Sequence, residues 1–171
     1  MISSRPISEE GRRVIRQAAP ADCGIVSALA LQLWPQYTLR EMEEEFRSIL
    51  ADPGSAVFLC FEEARPAAFA QCQLRHDYVE GTHSSPVGYL EGIFVEAEHR
   101  RRGIAAELLR RCEQWAKAGG CAEFASDCEL HNADSLRFHL RAGFTEANRM
   151  ICFTKRLSSF TAPESRNIVQ R

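Results

Sequence analysis

One change of pattern constrains the fold more than any other feature. Residues 89–95, YLEGIFV, are aromatic or branched apolar on both sides of Glu91-Gly92, which is strand chemistry. The basic run Arg100-Arg101-Arg102-Gly103 follows, and apolar residues then recur at Ile104, Leu108, Leu109, Cys112 and Trp115 until Gly119-Gly120. That is the period of an amphipathic helix and its stop signal. A strand that feeds a helix through so short a turn belongs to a mixed α/β domain.

The turn itself suggests a ligand. The first amides of a helix have no intrahelical acceptor, and the helix dipole adds positive charge there. Gly103 lets the backbone come close to a bound group, and small Ala105 helps. Arginine forks beside such amides suit a pyrophosphate. Arg100, Arg101, Arg102, Gly103, Ile104 and Ala105 are therefore candidate binding residues. The short pattern R-x-x-G-x-A taken alone also fits an exposed arginine-rich loop before an ordinary helix.

A carboxylate and a glycine inside an apolar strand are both locally unfavourable. Glu91 either leaves a one-sided sheet for solvent or lines a site for a cation. Gly92 suggests a bulge or splay that frees strand amides, with Phe94 and Val95 as the expected donors.

The 171 residues are 45% hydrophobic, enough for one compact domain with a core. A formal charge of -2 argues against an electrostatically driven nucleic-acid binder. The seven cysteines have irregular spacings and no C-x-x-C, as expected of reduced thiols in a cytoplasmic protein. No signal-peptide core and no apolar run of membrane-spanning length is present, so no membrane association is expected. The histidines form no metal-ligand spacing, and no metal is expected.

Elsewhere the pattern predicts a strand over 13–18, a helix from Pro20-Ala21-Asp22 to Trp34, and a second helix capped by Thr38. Strands are expected over 56–62, 67–78, 87–96 and 122–126, with a helix over 132–141 and two closing strands over 144–148 and 150–156. The expected order is β-α-α-β-β-β-α-β-α-β-β, one domain over 13–157 between a loose arm, 1–12, and a flexible tail, 158–171.

The stretch IFVEAEHRRRGIA resembles the acetyl-CoA signature of the GCN5-related N-acetyltransferase (GNAT) superfamily, V-x-x-x-x-[QR]-x-x-G-x-[GA]. Asn132, Ser135 and Gly143-Phe144 resemble its second signature. Within the superfamily, RHDYV-x-G-x-x-SSPV-x-x-LEGIFV, QLWP, and ASD followed five residues later by Asn are similar to bacterial aminoglycoside 6′-N-acetyltransferases. The resemblance implies one central, mostly antiparallel mixed sheet, splayed in a V between two parallel strands and flanked by helices. It implies direct acetyl transfer from acetyl-CoA to an amine, with Asn132 and Ser135 among the cofactor contacts. Glu91 and Asp127 then face the acceptor, as proton acceptors or as partners of substrate ammonium groups. Trp34 and Tyr78 line the acceptor pocket or are ordinary core. His139 stands where the wider superfamily carries tyrosine, and either protonates the leaving thiolate or has a structural role. Family dimers imply a homodimer. An enzyme acetylating another small amine or a protein amine, and a non-catalytic acyl-CoA sensor, are the competing readings.

Overall fold

The computed structural model describes residues 13–156. The expected arm at 1–12 and tail at 158–171 lie outside the described residues. The elements are β1 (Val14–Gln17), a 3-10 turn (Pro20–Asp22), α1 (Cys23–Leu33), α2 (Leu39–Ala51), β2 (Ser55–Glu62), β3 (Arg65–Arg75) and β4 (Val87–Val95). A second 3-10 turn (Ala97–His99), α3 (Ile104–Ala118), β5 (Phe124–Ser126) and α4 (Ala133–Arg141) complete them. The sheet runs in the order β1-β2-β3-β4-β5, antiparallel except for the parallel β4–β5 pair. None of the described helices is long and apolar enough to cross a membrane.

Local signals explain the helix starts. At α2, Thr38 Oγ1 accepts from Glu41 N (3.3 Å) while Glu41 Oε2 accepts from Thr38 N (2.8 Å), closing a capping box. Ahead of α1, Asp22 Oδ2 accepts from Ala19 N (2.7 Å), and both Asp22 oxygens receive the Arg16 fork at 2.7 Å. That pairing holds the Asp22 carboxyl down at about 2.

The sheet separates two cores. On one face Val26, Leu29, Met42 and Phe46 of α1 and α2 pack on Val57, Leu59 and Phe69. On the other, Ile104, Leu108, Leu109 and Cys112 of α3 pack on Cys60, Ala70, Cys72 and Leu90. Phe69 is fully buried, with the Trp34 and Phe46 rings 6.1 Å away and Phe94 at 6.5 Å. Truncating such a ring to alanine costs about 3–5 kcal/mol.

Two sequence expectations change. β3 ends at Arg75 rather than at 78, which leaves Tyr78 in a loop. The two closing strands are absent: residues 144–156 form no helix or strand. Met150, Ile151 and Phe153 there stay 65%, 74% and 89% exposed. Their apolar run has strand chemistry but finds no partner strand among the described residues, and a strand without a ladder is not stable.

Candidate active site

β4 is irregular at the two residues that looked misplaced. Gln71 pairs with Gly92, yet the next residue of β3, Cys72, pairs with Leu90, so Glu91 is the extra residue of a bulge. A bulge turns two successive side chains to one face. Leu90 and Ile93 pack toward α3, whereas Gly92 lies against Leu33 and Trp34 on the α1 side. Glu91 shares that side with Gln73 and Arg75, its hydrogen-bond partners. The unfavourable pair is thus a device that aims a carboxylate.

β4 and β5 make the fork. Their pairing covers only Gly88↔Phe124, Tyr89↔Ala125 and Leu90↔Ser126, although β4 continues to Val95. Glu96 N donates to Ala67 O on the β3 side (2.9 Å). Strand alternation therefore turns the Phe94 amide toward β3 and the Ile93 and Val95 amides toward the open edge. Sequence reasoning named Phe94 and Val95; register replaces Phe94 with Ile93.

Beyond the fork, Arg100 Nε donates to Val95 O (3.0 Å) across the turn. Arg101 and Gly103 both have left-handed backbones, φ 59° and 79°. Gly103 caps α3 without a side-chain bond, and Glu107 N is the first helix amide to reach a carbonyl, Gly103 O at 3.1 Å. A Cβ built on Gly103 meets nothing within 4 Å, so the turn ahead of α3 leaves room for a group to approach its backbone. Arg102 points away: its guanidinium reaches Glu62 Oε2 (3.3 Å), and its carbonyl accepts from Arg13 (3.1 Å). Buried Glu62 also pairs with Arg13, which keeps its carboxyl below the usual range. Two of the three arginines brace the turn.

On the α1 side, Glu91 Oε1 accepts from Arg75 Nη2 (2.5 Å), Arg75 Nε (3.1 Å) and Gln73 Nε2 (2.6 Å). Burial raises the Glu91 carboxyl above its ordinary value against the pull of Arg75. The Arg75 guanidinium lies 3.4 Å over the Tyr89 ring. Burial and the nearby Asp127 charge raise the Tyr89 phenol, which is hydrogen bonded to Asp127. Glu91 and Asp127 are thus brought together. Trp34 joins them through Gly92. Tyr78 does not: it is 81% exposed and donates to Glu80 Oε2 (2.9 Å).

Where the fork closes, His139 of α4 reaches across to β5. Its Nε2 is 3.0 Å from Ser126 Oγ, which donates to Leu90 O (3.1 Å), and its Nδ1 is 2.8 Å from Ser135 O. Both ring nitrogens are engaged, so the imidazole latches α4 to the fork. Asn132 caps α4 by accepting from Ser135 N (3.0 Å). Just past β4, part-buried Glu96 and His99 and exposed Glu98 bring ligand atoms within 4.8 Å of one another, a grouping of a kind common without an ion.

The fork is a window between the faces of the sheet. An anion-ready turn stands on the α3 side and carboxylates stand on the α1 side, so two ligands can meet edge to edge. This is the construction of a transferase that moves a group from a phosphate-bearing carrier to a cationic acceptor. Comparison with known proteins narrows the class: the chain belongs to the acetyltransferase (GNAT) family, whose model matches residues 25–144.

An aminoglycoside N(6′)-acetyltransferase type 1 from Serratia marcescens is 42% identical over 131 residues, covering 76% of this chain and 90% of that enzyme. Its counterpart from Stenotrophomonas maltophilia is 40% identical over 154 residues, 90% of this chain and 95% of that one. The solved structure of AAC(6′)-Iy with a bisubstrate analogue, CoA-S-monomethyl-acetylneamine, superposes with a TM-score of 0.82 at 35% identity. It covers 86% of this chain and 100% of that one.

Sequence reasoning missed Gln73, Arg75 and Tyr89. The signal was available: Gln73 and Arg75 alternate along one strand, and Tyr89 and Glu91 along the next.

Proposed function

We propose that this protein is an aminoglycoside 6′-N-acetyltransferase that moves an acetyl group from acetyl-CoA directly to the 6′-amine of its substrate, conferring resistance. The observation that carries the reading is the fork, with the uncapped α3 turn on one side and Glu91 and Asp127 on the other. The relatives match the chain over most of their length and carry this activity in their names.

Acetyl-CoA, when bound, supplies the acetyl group as a thioester. The Ile104 and Ala105 amides, with Arg100 and Arg101 beside them, suit its pyrophosphate, and the open space at Gly103 admits the close approach that this needs. The Ile93 and Val95 amides face the window, where a carbonyl oxygen gaining charge takes hydrogen bonds. Glu91 and Asp127 hold the acceptor's ammonium groups, and the attacking amine gives up its proton to one of them, directly or through water. Trp34 offers a flat apolar wall for a sugar ring. His139 keeps α4 seated at the fork.

The exposed Met150, Ile151 and Phe153 support a homodimer in which residues 144–156 of each copy cover apolar surface of the other. Phe153→Asp should yield monomer in sedimentation, and an unchanged dimer would remove that segment from the interface. Seven free cysteines and dependence on acetyl-CoA support action in the cytoplasm.

The test is chromatographic measurement of CoA release with kanamycin, tobramycin, a matched aminoglycoside bearing a 6′-hydroxyl, and spermidine. Turnover of the 6′-amines but not of the 6′-hydroxyl compound is expected. Turnover of spermidine alone would move the activity to another amine. Binding of acetyl-CoA with no turnover on any amine would favour the sensor reading.

A further inference from the structure

We infer that Arg75 is a positioning residue of the acceptor site: it fixes Glu91 by one oxygen and, through Tyr89, holds it in register with Asp127. The inference rests on the acetyl-transfer reading and adds to it a residue that binds neither substrate.

Three N–H groups, two from Arg75 and one from Gln73, converge on Glu91 Oε1, all between 2.5 and 3.1 Å. Among the described residues none donates to Oε2. A carboxylate saturated on one oxygen and open on the other has a fixed direction, and Oε2 is the atom left for an ammonium. Arg75 is itself held flat, its guanidinium 3.4 Å over the Tyr89 ring. Both partners of the Arg75–Glu91 pair have side chains only 18% exposed, so water screens the contact poorly. The Tyr89 hydroxyl then bonds Asp127. The chain Glu91–Arg75–Tyr89–Asp127 therefore ties a carboxylate on β4 to one just past β5, bridging the two strands whose separation makes the window.

A cation inside a pocket for cations needs this justification. Two carboxylates and one guanidinium leave a formal charge of one minus. Arg75 spends part of the pocket's attraction for ammonium groups on geometry. Arginine suits the task because its planar fork gives two N–H groups to one carboxylate oxygen while lying flat on a ring, whereas lysine is a point charge on a flexible stem and cannot hold both contacts in one fixed plane.

The test compares Arg75→Met, Arg75→Lys and Tyr89→Phe with wild type. The charged and titratable groups facing Glu91 are Arg75 from β3, Tyr89 from β4 and Asp127 beyond β5, and the atoms nearest the adjoining Gly92 belong to the apolar Leu33 and to Trp34. Arg75→Met should lower kcat about tenfold or more with acetyl-CoA affinity unchanged. It should also move the acid limb of kcat/KM to higher pH, because Glu91 loses the cation that favours its ionised form. Arg75→Lys should keep the limb near wild type while kcat stays low. Tyr89→Phe, which keeps the ring under the guanidinium, should lower kcat without moving the limb.

Full recovery of kcat by Arg75→Lys, or a wild-type limb in Arg75→Met, would overturn the inference. Titration of the Glu91 carboxyl by 13C NMR, assigned with Glu91→Gln, needs no substrate. An upward shift in Arg75→Met is expected there even if the acceptor is a different amine, and no shift would overturn the inference on its own. Failure of the aminoglycoside assay is thereby kept distinct from failure of this one.

Discussion

The Trp34 indole rests against the backbone of Gly92. A Cβ built on Gly92 would stand 2.6 Å from Trp34 Cη2 and 2.8 Å from Cζ2, closer than real atoms come. The end of α1 and the bulge of β4 therefore fit together only because residue 92 has no side chain. The residue that looks like a strand-breaker by composition is the seat of the indole, the proposed acceptor-site wall.

Gly92→Ala should displace that wall. The indole is partly buried against the α1–α2 core, so the methyl group should push it from its seat and cost about 1–3 kcal/mol of stability. The KM for the amine should rise while acetyl-CoA affinity stays close to wild type. Urea unfolding and steady-state kinetics test both, and a variant matching wild type in each would refute the contact.

Glu91→Gln and Asp127→Asn should each lower kcat/KM for the amine, on the order of a hundredfold. Acetyl-CoA affinity, measured by calorimetry, should be nearly intact, because the turn at α3 lies on the other face of the sheet. Wild-type turnover in both variants would remove the two carboxylates from the acceptor site.

Gly103 sets up a graded test. Its φ of 79° costs a side-chain-bearing residue about 1–2 kcal/mol. A Cβ there meets no protein atom, so any further loss comes from the ligand's own space. Gly103→Ala should weaken acetyl-CoA binding modestly, and Gly103→Val about tenfold or more, with amine-side kinetics compared at saturating acetyl-CoA. Equal affinity in folded Gly103→Val and wild type would rule out backbone approach at this turn.

Acid stability should report Asp22. Arg16 and the Ala19 amide hold its carboxyl at about 2, below its unfolded value of 3.8. A depressed carboxyl stabilises the fold above the unfolded value, and that stabilisation is lost as pH falls through the folded one. Asp22→Asn should therefore cost about 1–2 kcal/mol near neutrality, Arg16 being partly solvated. The difference from wild type should shrink between pH 3.8 and about 2. Denaturant unfolding over that range tests it, and a pH-independent difference would contradict the ion-pair account.

Local pattern accounts for what was legible beforehand. The strand, turn and helix over 87–118 announce themselves by a switch from a short apolar run to the ~3.6-residue period of an amphipathic helix, and Thr38 and Asn132 mark helix starts by capping chemistry. Glu91 stood out because a charge inside an apolar strand has few reasons to exist. Pairing between distant segments was not legible. The bulge depends on register against β3, which decides that the open amides are Ile93 and Val95 rather than Phe94. Arg102 looked like a phosphate ligand because Glu62, its partner, lies forty residues earlier. The segments at 144–148 and 150–156 have strand-like composition, but no partner strand is present among the described residues. Composition tells what a segment can become, and only its neighbours decide whether it does.

The short reach of β5 has one more consequence. Because it pairs with only three residues of β4, the amides of Ile93 and Val95 have no ladder partner among the described residues. A bare strand edge is adhesive and recruits stray strands from other molecules. On the proposed reading, acetyl-CoA bound at this edge doubles as a guard for the sheet, and protein stripped of it should be the first to turn cloudy on concentration or mild heating.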